Sequence, residues 1–385
     1  MSVKEEGIKI ETILVHGSKG FDETTGAVSF PIYQSATFRH PGLYETTGYD
    51  YSRLQNPTRE ELEKTIAKLE GGNEGLAFSS GMAAISTIFS FFKSGDNLIF
   101  SDDLYGGTYR LAEEIYKKLG ISVTYIDTRN LKMVEEAIKT NTRAIFVETP
   151  TNPMMKVTDI KLIAELGHSK SLIVIIDNTF LTPYFQNPIK LGADIVVHSG
   201  TKYLGGHNDT LAGLLIVKDP SLAEQFRLIQ KSVGAVLSPF DSWLILRGMK
   251  TLAIRLEREQ ESAFKVASFL KVNKNVENVY YVGLPDDEGY NISKLQARGF
   301  GGMISFRVKE SSLVEKILKR IKVITFAESL GGVETLITYP MVQTHAAIPE
   351  EIRIKLGVDD RLLRLSIGLE NAEDIIQDLE EAMFN

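Results

Sequence analysis

The chain has 385 residues, 43% of them hydrophobic and 24% charged, a balance that fits a folded globular protein of two or three domains with a large core. A net charge of −7 argues against an electrostatic grip on nucleic acid or an anionic membrane. With no cysteine there is no disulfide, thiolate nucleophile or cysteine metal ligand, and no apolar run approaches the roughly eighteen residues of a membrane span. Residues 1–10 are charged and lack an apolar signal core, so a cytoplasmic location is expected.

Residues 1–56 carry little helical periodicity and are expected to form an extended amino-terminal arm. The arm ends in Tyr49-Asp50-Tyr51-Ser52-Arg53, followed by Asn56-Pro57-Thr58. Thr58 with Glu61 reads as a capping box and predicts a helix from there to Gly71-Gly72. Tyr51 and Arg53 therefore fall on a loop just before a helix, where spacing alone makes them surface residues. Next, Ser79-Ser80-Gly81-Met82 forms a small-residue turn into a predicted helix over 83–92. Free N–H groups at such a helix start, with a glycine for close approach, suit a phosphate. A strand over 97–100 precedes Asp103-Leu104-Tyr105-Gly106-Gly107-Thr108 and another helix. By position Tyr105 fits core packing, and Arg110 fits either a solvated helix residue or a substrate contact. The strand over 144–147 runs into Glu148-Thr149-Pro150-Thr151-Asn152-Pro153, where Asn152 suits an Asx turn.

The segment 172–202 is the most informative. Leu172 to Ile176 is an apolar run with four β-branched residues, too short for an ordinary helix, and it stops at Asp177. A second such run, 194–197, opens onto His198-Ser199-Gly200-Thr201-Lys202. In a parallel α/β sheet the carboxyl ends of strands face the ligand crevice. An acid and a lysine would then meet there, with the hydroxyls of Ser199 and Thr201 beside them. Those groups are suited to pyridoxal phosphate. A lysine amine forms a Schiff base with an aldehyde, and a carboxylate keeps a pyridine nitrogen protonated so that the ring accepts electrons. The two hydroxyls can donate to phosphate oxygens.

Ser238-Pro239 supplies an N-cap and first turn for a helical region that is expected to continue past Gly248 to about residue 270. Strands over 302–308 and 361–367 alternate with helices over 313–321 and 372–383. Arg364 stands between leucines in its strand and is expected to grip a carboxylate, either a substrate's or that of a structural ion pair. The six histidines show no metal spacing, and no G-x-G-x-x-G or Walker lysine pattern supports a nucleotide-binding enzyme.

Asp177-Asn178-Thr179-Phe180 followed by Ser199-Gly200-Thr201-Lys202-Tyr203 resembles the cysteine and methionine metabolism family of fold-type I pyridoxal phosphate enzymes. The likeness runs from about Ile13 to the last helix. It implies an α/β chain with a large, doubly wound, mostly parallel sheet domain over 57–247, a smaller α/β domain over 248–385, and the arm before them. For the cofactor it implies Lys202 and Asp177 with Tyr105 stacked on the ring, Asn152 near the ring hydroxyl, and Thr179 alongside. Ser80, Gly81, Met82, Ser199 and Thr201 would serve the phosphate, joined by Tyr51 and Arg53 from across a subunit boundary. Arg110, Glu328, Ser329 and Arg364 would meet a small amino-acid substrate. The expected assembly is a homo-oligomer with shared sites, a dimer or a dimer of dimers. The expected activity is cystathionine γ-synthase, with γ-lyase or β-lyase action as the alternative. Further alternatives are O-acetylhomoserine sulfhydrylase, methionine γ-lyase and a non-catalytic cofactor carrier. Methionine γ-lyases typically carry a cysteine where this chain has Gly107, which counts against that activity.

Overall fold

The computed structural model describes residues 7–384. A seven-stranded sheet is built from β1 (Glu74–Phe78), β2 (Asn97–Ser101), β3 (Ser122–Ile126), β4 (Thr142–Glu148), β5 (Ile173–Asp177), β6 (Ile195–Ser199) and β7 (Gly213–Val217). Their spatial order is β1-β7-β6-β5-β4-β2-β3. All neighbouring pairs from β6 across to β3 are parallel, and β7 is antiparallel to both β6 and β1. It follows that β1, β2, β4, β5 and β6 all end at the same edge of the sheet.

The unbroken apolar runs of these strands have a physical cause: both faces are covered. Ile145, Val147, Val174, Ile176 and Val196 join a core with Leu62 and Ile66 of helix Pro57–Glu70 and Ile163 of helix Ile160–Ser169. Their alternating neighbours Ala144, Phe146, Ile175, Ile195 and Val197 join a second core with Ile85 and Ile88 of helix Gly81–Phe91 and Phe226 of helix Pro220–Val233. Strands buried on both sides lose the usual in–out alternation.

A five-stranded sheet follows, from β8 (Val276–Tyr280), β9 (Met303–Val308), β10 (Thr325–Phe326), β11 (Leu336–Thr338) and β12 (Leu362–Ser366), in the order β10-β11-β12-β9-β8. β12 is central, with antiparallel partners on both sides. Leu363 and Leu365 pack with Val266, Ile317 and Leu379 from the helices Leu252–Val272, Ser312–Arg320 and Ala372–Met383. The period of two along a strand then sends Arg364 to the opposite face. There its neighbour Ser305 donates through Oγ to the Pro153 carbonyl at 2.7 Å, tying this sheet to the loop after β4.

Three local expectations need correction. The helix at Pro57 is capped by Asn56, whose Oδ1 accepts from the N–H groups of Thr58 and Arg59 at 3.0 and 3.4 Å. Thr58 instead donates to the Pro31 carbonyl, and Glu61 accepts from Ser18, so the arm takes both capping-box side chains. The arm itself holds a helix, Ile10–His16, whose one fully buried residue, Leu14, is too little pattern to read from sequence. Lastly, the region after Pro239 is two helices, Pro239–Met249 and Leu252–Val272. At their junction the N–H and Oγ1 of Thr251 both turn back to the Gly248 carbonyl, which ends the first ladder.

Candidate active site

β5 and β6 end side by side, and the residues after them face a cavity of about 350 Å³. Asp177 closes β5, and its Oδ1 accepts from the Thr179 N–H at 3.0 Å and from Thr179 Oγ1 at 2.6 Å. Thr179 Oγ1 accepts in turn from the Ser199 N–H at 2.9 Å, so one hydroxyl ties the two strand ends together. Among the described residues nothing donates to Asp177 Oδ2, which leaves that oxygen for a donor in the cavity. Burial raises the Asp177 carboxyl, while the two Thr179 donors and the nearby His198 pull it down.

The turn after β1 brings a second element to the same cavity. Ser80 caps helix Gly81–Phe91, its Oγ accepting from the Ala83 N–H at 3.1 Å. Gly81 and Met82 occupy the first turn, where N–H groups lie outside the helix's own ladder, and both line the cavity. A Cβ at Gly81 would stand 3.1 Å from Ser199 Cβ, so a side chain there would push the helix start and the end of β6 apart by a few tenths of an ångström. The Ser199 hydroxyl has no partner among the described residues. The Thr201 hydroxyl is engaged by Ala212, accepting from its N–H at 3.1 Å and donating to its carbonyl at a long 3.3 Å.

Lys202 is largely buried, and its Nζ donates to Ser329 Oγ at 2.9 Å. Burial, then the nearby Arg364 cation, pushes the amine down to about 8, against a smaller upward pull from Glu328. A lysine so placed keeps a neutral fraction near physiological pH. Ser329 holds a φ of 141°, an unusual backbone for a residue with a side chain. Its carbonyl accepts from Arg364 Nη2 at 3.0 Å, so one strained residue holds both cations.

Arg364 is 1% exposed. Nη1 donates to Asn152 Oδ1 at 2.7 Å and Nη2 to Thr338 Oγ1 at 3.2 Å, while buried Nε has no acceptor. Among the described residues no carboxylate pairs with it, so the structural ion pair allowed by the sequence is absent. Burial pushes the guanidinium down to about 10, a sign of what the unpaired charge costs. The cavity wall beside it includes Glu328, an exposed residue, and Asn152.

Tyr105 precedes helix Gly106–Glu114, its N–H donating to Glu148 Oε2 at 2.9 Å and its side chain lining the cavity. A Cβ at Gly107 would come within 2.4 Å of the Tyr105 ring, so any side chain there would displace the tyrosine. Two residues escaped the sequence reading. Glu148 ends β4 just as Asp177 ends β5, and that shared position was its one available signal. His345, in a loop with no periodicity, sits 3.0 Å through Nε2 from the Asn152 carbonyl, and burial followed by Arg364 pushes it down to about 4, so it is neutral.

Three predicted residues lie away from the cavity of their own chain. Arg53 is exposed, donates to the Lys231 carbonyl at 2.6 Å, and sits 5.6 Å from the Tyr51 ring centroid. Tyr51 is likewise exposed, and Arg110 faces outward from helix Gly106–Glu114. Among the described residues no three His, Asp or Glu side chains group to hold a metal, and no helix is long and apolar enough to cross a membrane.

A mostly parallel sheet whose strand ends bring a lysine and an acid to one pocket defines a fold-type I pyridoxal phosphate enzyme. Residues 11–384 match the family of Cys/Met metabolism PLP-dependent enzymes, and the chain belongs to it. It is 48% identical to a cystathionine gamma-lyase of Bacillus subtilis over 98% of this chain and 100% of that one. It is 52% identical to a cystathionine gamma-synthase/O-acetylhomoserine (thiol)-lyase of the same organism, over 97% of this chain and 96% of that one. A solved cystathionine gamma-lyase from Lactobacillus plantarum, complexed with L-serine, superposes with a TM-score of 0.95 at 47% identity, over 97% of this chain and 98% of that one. The protein is thus a pyridoxal phosphate-dependent enzyme of the cystathionine synthase and lyase type. The cavity fits that cofactor: the free Asp177 Oδ2, the unpartnered Ser199 hydroxyl, the helix start at Gly81 and the lysine of lowered basicity each match one part of it.

Proposed function

We propose that the enzyme is a cystathionine γ-synthase, joining an O-acylated homoserine to cysteine by replacement at Cγ. The observation that carries an amino-acid substrate, for synthase and lyase alike, is Arg364, a fully buried guanidinium without a carboxylate partner among the described residues, in the same cavity as Lys202. A buried cation left unpaired is costly, and an amino-acid carboxylate would satisfy it. Ser80, Gly81, Met82, Ser199 and Thr201 would hold the cofactor phosphate, with Tyr51 and Arg53 supplied by a neighbouring subunit. Tyr105 would stack on the ring, Asn152 would sit by the ring hydroxyl, and Asp177, oriented by Thr179, would meet the ring nitrogen. Bound pyridoxal phosphate supplies an aldehyde carbon for amine capture and a ring that takes up electrons.

The remaining work falls to the chain. Arg364 and Ser329 fix the substrate so that its Cα–H faces Lys202 Nζ. The neutral amine takes that proton, hands it on within the site and, neutral again, takes one from Cβ. The Cγ–O bond then breaks, and the acyl group departs with that oxygen as a carboxylate holding the bond's electron pair. Cysteine sulfur, its thiol proton balancing the departing carboxylate, then bonds to Cγ, and one proton returns to Cβ and one to Cα. Glu328 fits this reading as an acid that cystathionine synthases and γ-lyases often show at its position, although some β-lyases share it. A second opening, lined by Asn208, Asp209 and Ser238, shares Thr201, Glu328 and Ser329 with the first cavity and offers room for a second amino acid.

The rival reading is a γ-lyase or β-lyase acting on cystathionine with the same residues. The names of relatives, which span synthases and lyases at 46–52% identity, support the two readings alike. Purified enzyme incubated with O-acetylhomoserine, with O-succinylhomoserine and with cystathionine, each with and without cysteine, decides between them. Cystathionine made from an acylhomoserine and cysteine is the expected product. Keto acid from cystathionine, with no condensation, would overturn the synthase reading. Arg364→Ala should weaken every amino-acid substrate by ten- to a few hundred-fold, from a charge-assisted bond of about 1.5–3 kcal/mol, with cofactor affinity retained. Unfolding, or loss of cofactor, would instead make Arg364 a structural residue.

A further inference from the structure

Glu148 at the end of β4 stands in register with Asp177 at the end of β5, so the two carboxyls lie on one face of neighbouring parallel strands, whose backbones run about 4.8 Å apart. Both line the cavity. Two buried carboxylates this close do not both hold a charge unless a cation lies between them. Their contacts are unequal. Asp177 Oδ1 takes two donors from Thr179, one of them a hydroxyl at 2.6 Å, whereas the donors to Glu148 are the backbone N–H groups of Tyr105 and Asn152. Hydrogen bonds to the charged form favour it, so the negative charge settles on Asp177. We propose that Glu148 is a positioning residue that works uncharged, clamping the backbone of Tyr105 and leaving Asp177 as the one anion beside the ring nitrogen.

The surroundings agree. Burial, followed by the nearness of Asp177, pushes the Glu148 carboxyl well above the usual carboxylate range, and Asp103 adds to the push. His198 of β6, on the opposite face of the sheet and held by Glu70 Oε1 at 2.7 Å, adds a pull toward charge on Asp177. Across the cavity, Arg364 feels Glu148 as well. A charged Glu148 would therefore compete for the guanidinium that the substrate carboxylate needs. An uncharged one keeps Tyr105 in place and leaves both Arg364 and the ring nitrogen to their own partners.

The inference rests on Asp177 serving the ring nitrogen, and two measurements on the cofactor-loaded enzyme test it. The first is the pH midpoint of the bound cofactor's visible absorption. Glu148→Gln, which replaces one neutral group by another, should move it by less than about 0.3 pH unit, whereas removing a real charge at this distance would move it by about one unit or more. The second is the cofactor dissociation constant. Glu148→Ala, which releases the Tyr105 N–H, should raise it about tenfold, while Glu148→Gln, whose amide oxygen still accepts, should raise it less than about threefold. A large midpoint shift in Glu148→Gln overturns the uncharged role, and equal affinities in the two variants overturn the clamp. Asp177→Asn should change the visible spectrum. An unchanged spectrum there would overturn the ring-nitrogen reading of the site, and this inference with it, independently of how the Glu148 variants behave.

Discussion

Lys202→Ala should lose the covalent attachment of pyridoxal phosphate and lower turnover by at least about 10²–10⁴-fold, the contribution of a positioned general base. The variant should still bind the cofactor, because the phosphate site proposed at Ser80, Gly81 and Ser199 does not depend on the lysine. Borohydride reduction of the wild-type enzyme should fix the cofactor to Lys202, and peptide mapping that finds it on another lysine would overturn the assignment. A pH dependence follows from the same amine. Burial and Arg364 lower Lys202 to about 8, so below that pH the ammonium form dominates and cannot attack an aldehyde. Cofactor capture by apoenzyme should therefore speed up as pH rises through about 8 and level off above it. Stopped-flow absorbance measures this directly, and a rate still climbing towards pH 10 would show that the amine is not depressed.

Much of this site was legible because strand ends are legible. The run from Leu172 to Ile176 stops at Asp177 and the run over 194–197 stops before Ser199, and a parallel sheet must bring such ends to one edge. Arg364 could be read because a charge between leucines in a strand needs a special reason. Sequence could not say which reason, since the absence of a carboxylate partner depends on β11, on Ser329 and on Asn152, all distant along the chain. Glu148 was missed although it ends its strand as Asp177 does. It is followed by two prolines and an asparagine that draw attention to the turn. The capping box failed for a different reason: Thr58 and Glu61 had the right spacing, but the arm offered both side chains other partners. Spacing reports what a helix can do alone and is silent about competition from elsewhere in the fold.

The positions of Tyr51 and Arg53 bear on assembly. Both lie outside the cavity of their own chain, and the arm that carries them exposes Val28, Leu43 and Tyr44. An arm with apolar residues turned outward and a cation beside a tyrosine suits a surface that a second copy covers. We propose that this arm completes the phosphate site of a neighbouring subunit across a two-fold interface, where each subunit lends the same element to the other. Lys202→Ala and Arg53→Ala would then damage opposite halves of one shared site, each inactive or severely impaired alone. In a mixed dimer one site carries both defects, and the other has an intact lysine and an intact arginine. With random exchange half of the dimers are mixed and half of their sites are whole, so activity should recover to about a quarter of wild type. The experiment denatures and refolds the two variants together, confirms exchange with a mass tag, and assays the mixture against each variant refolded alone. Exchange without recovery would place Arg53 in its own subunit's site or outside the site altogether.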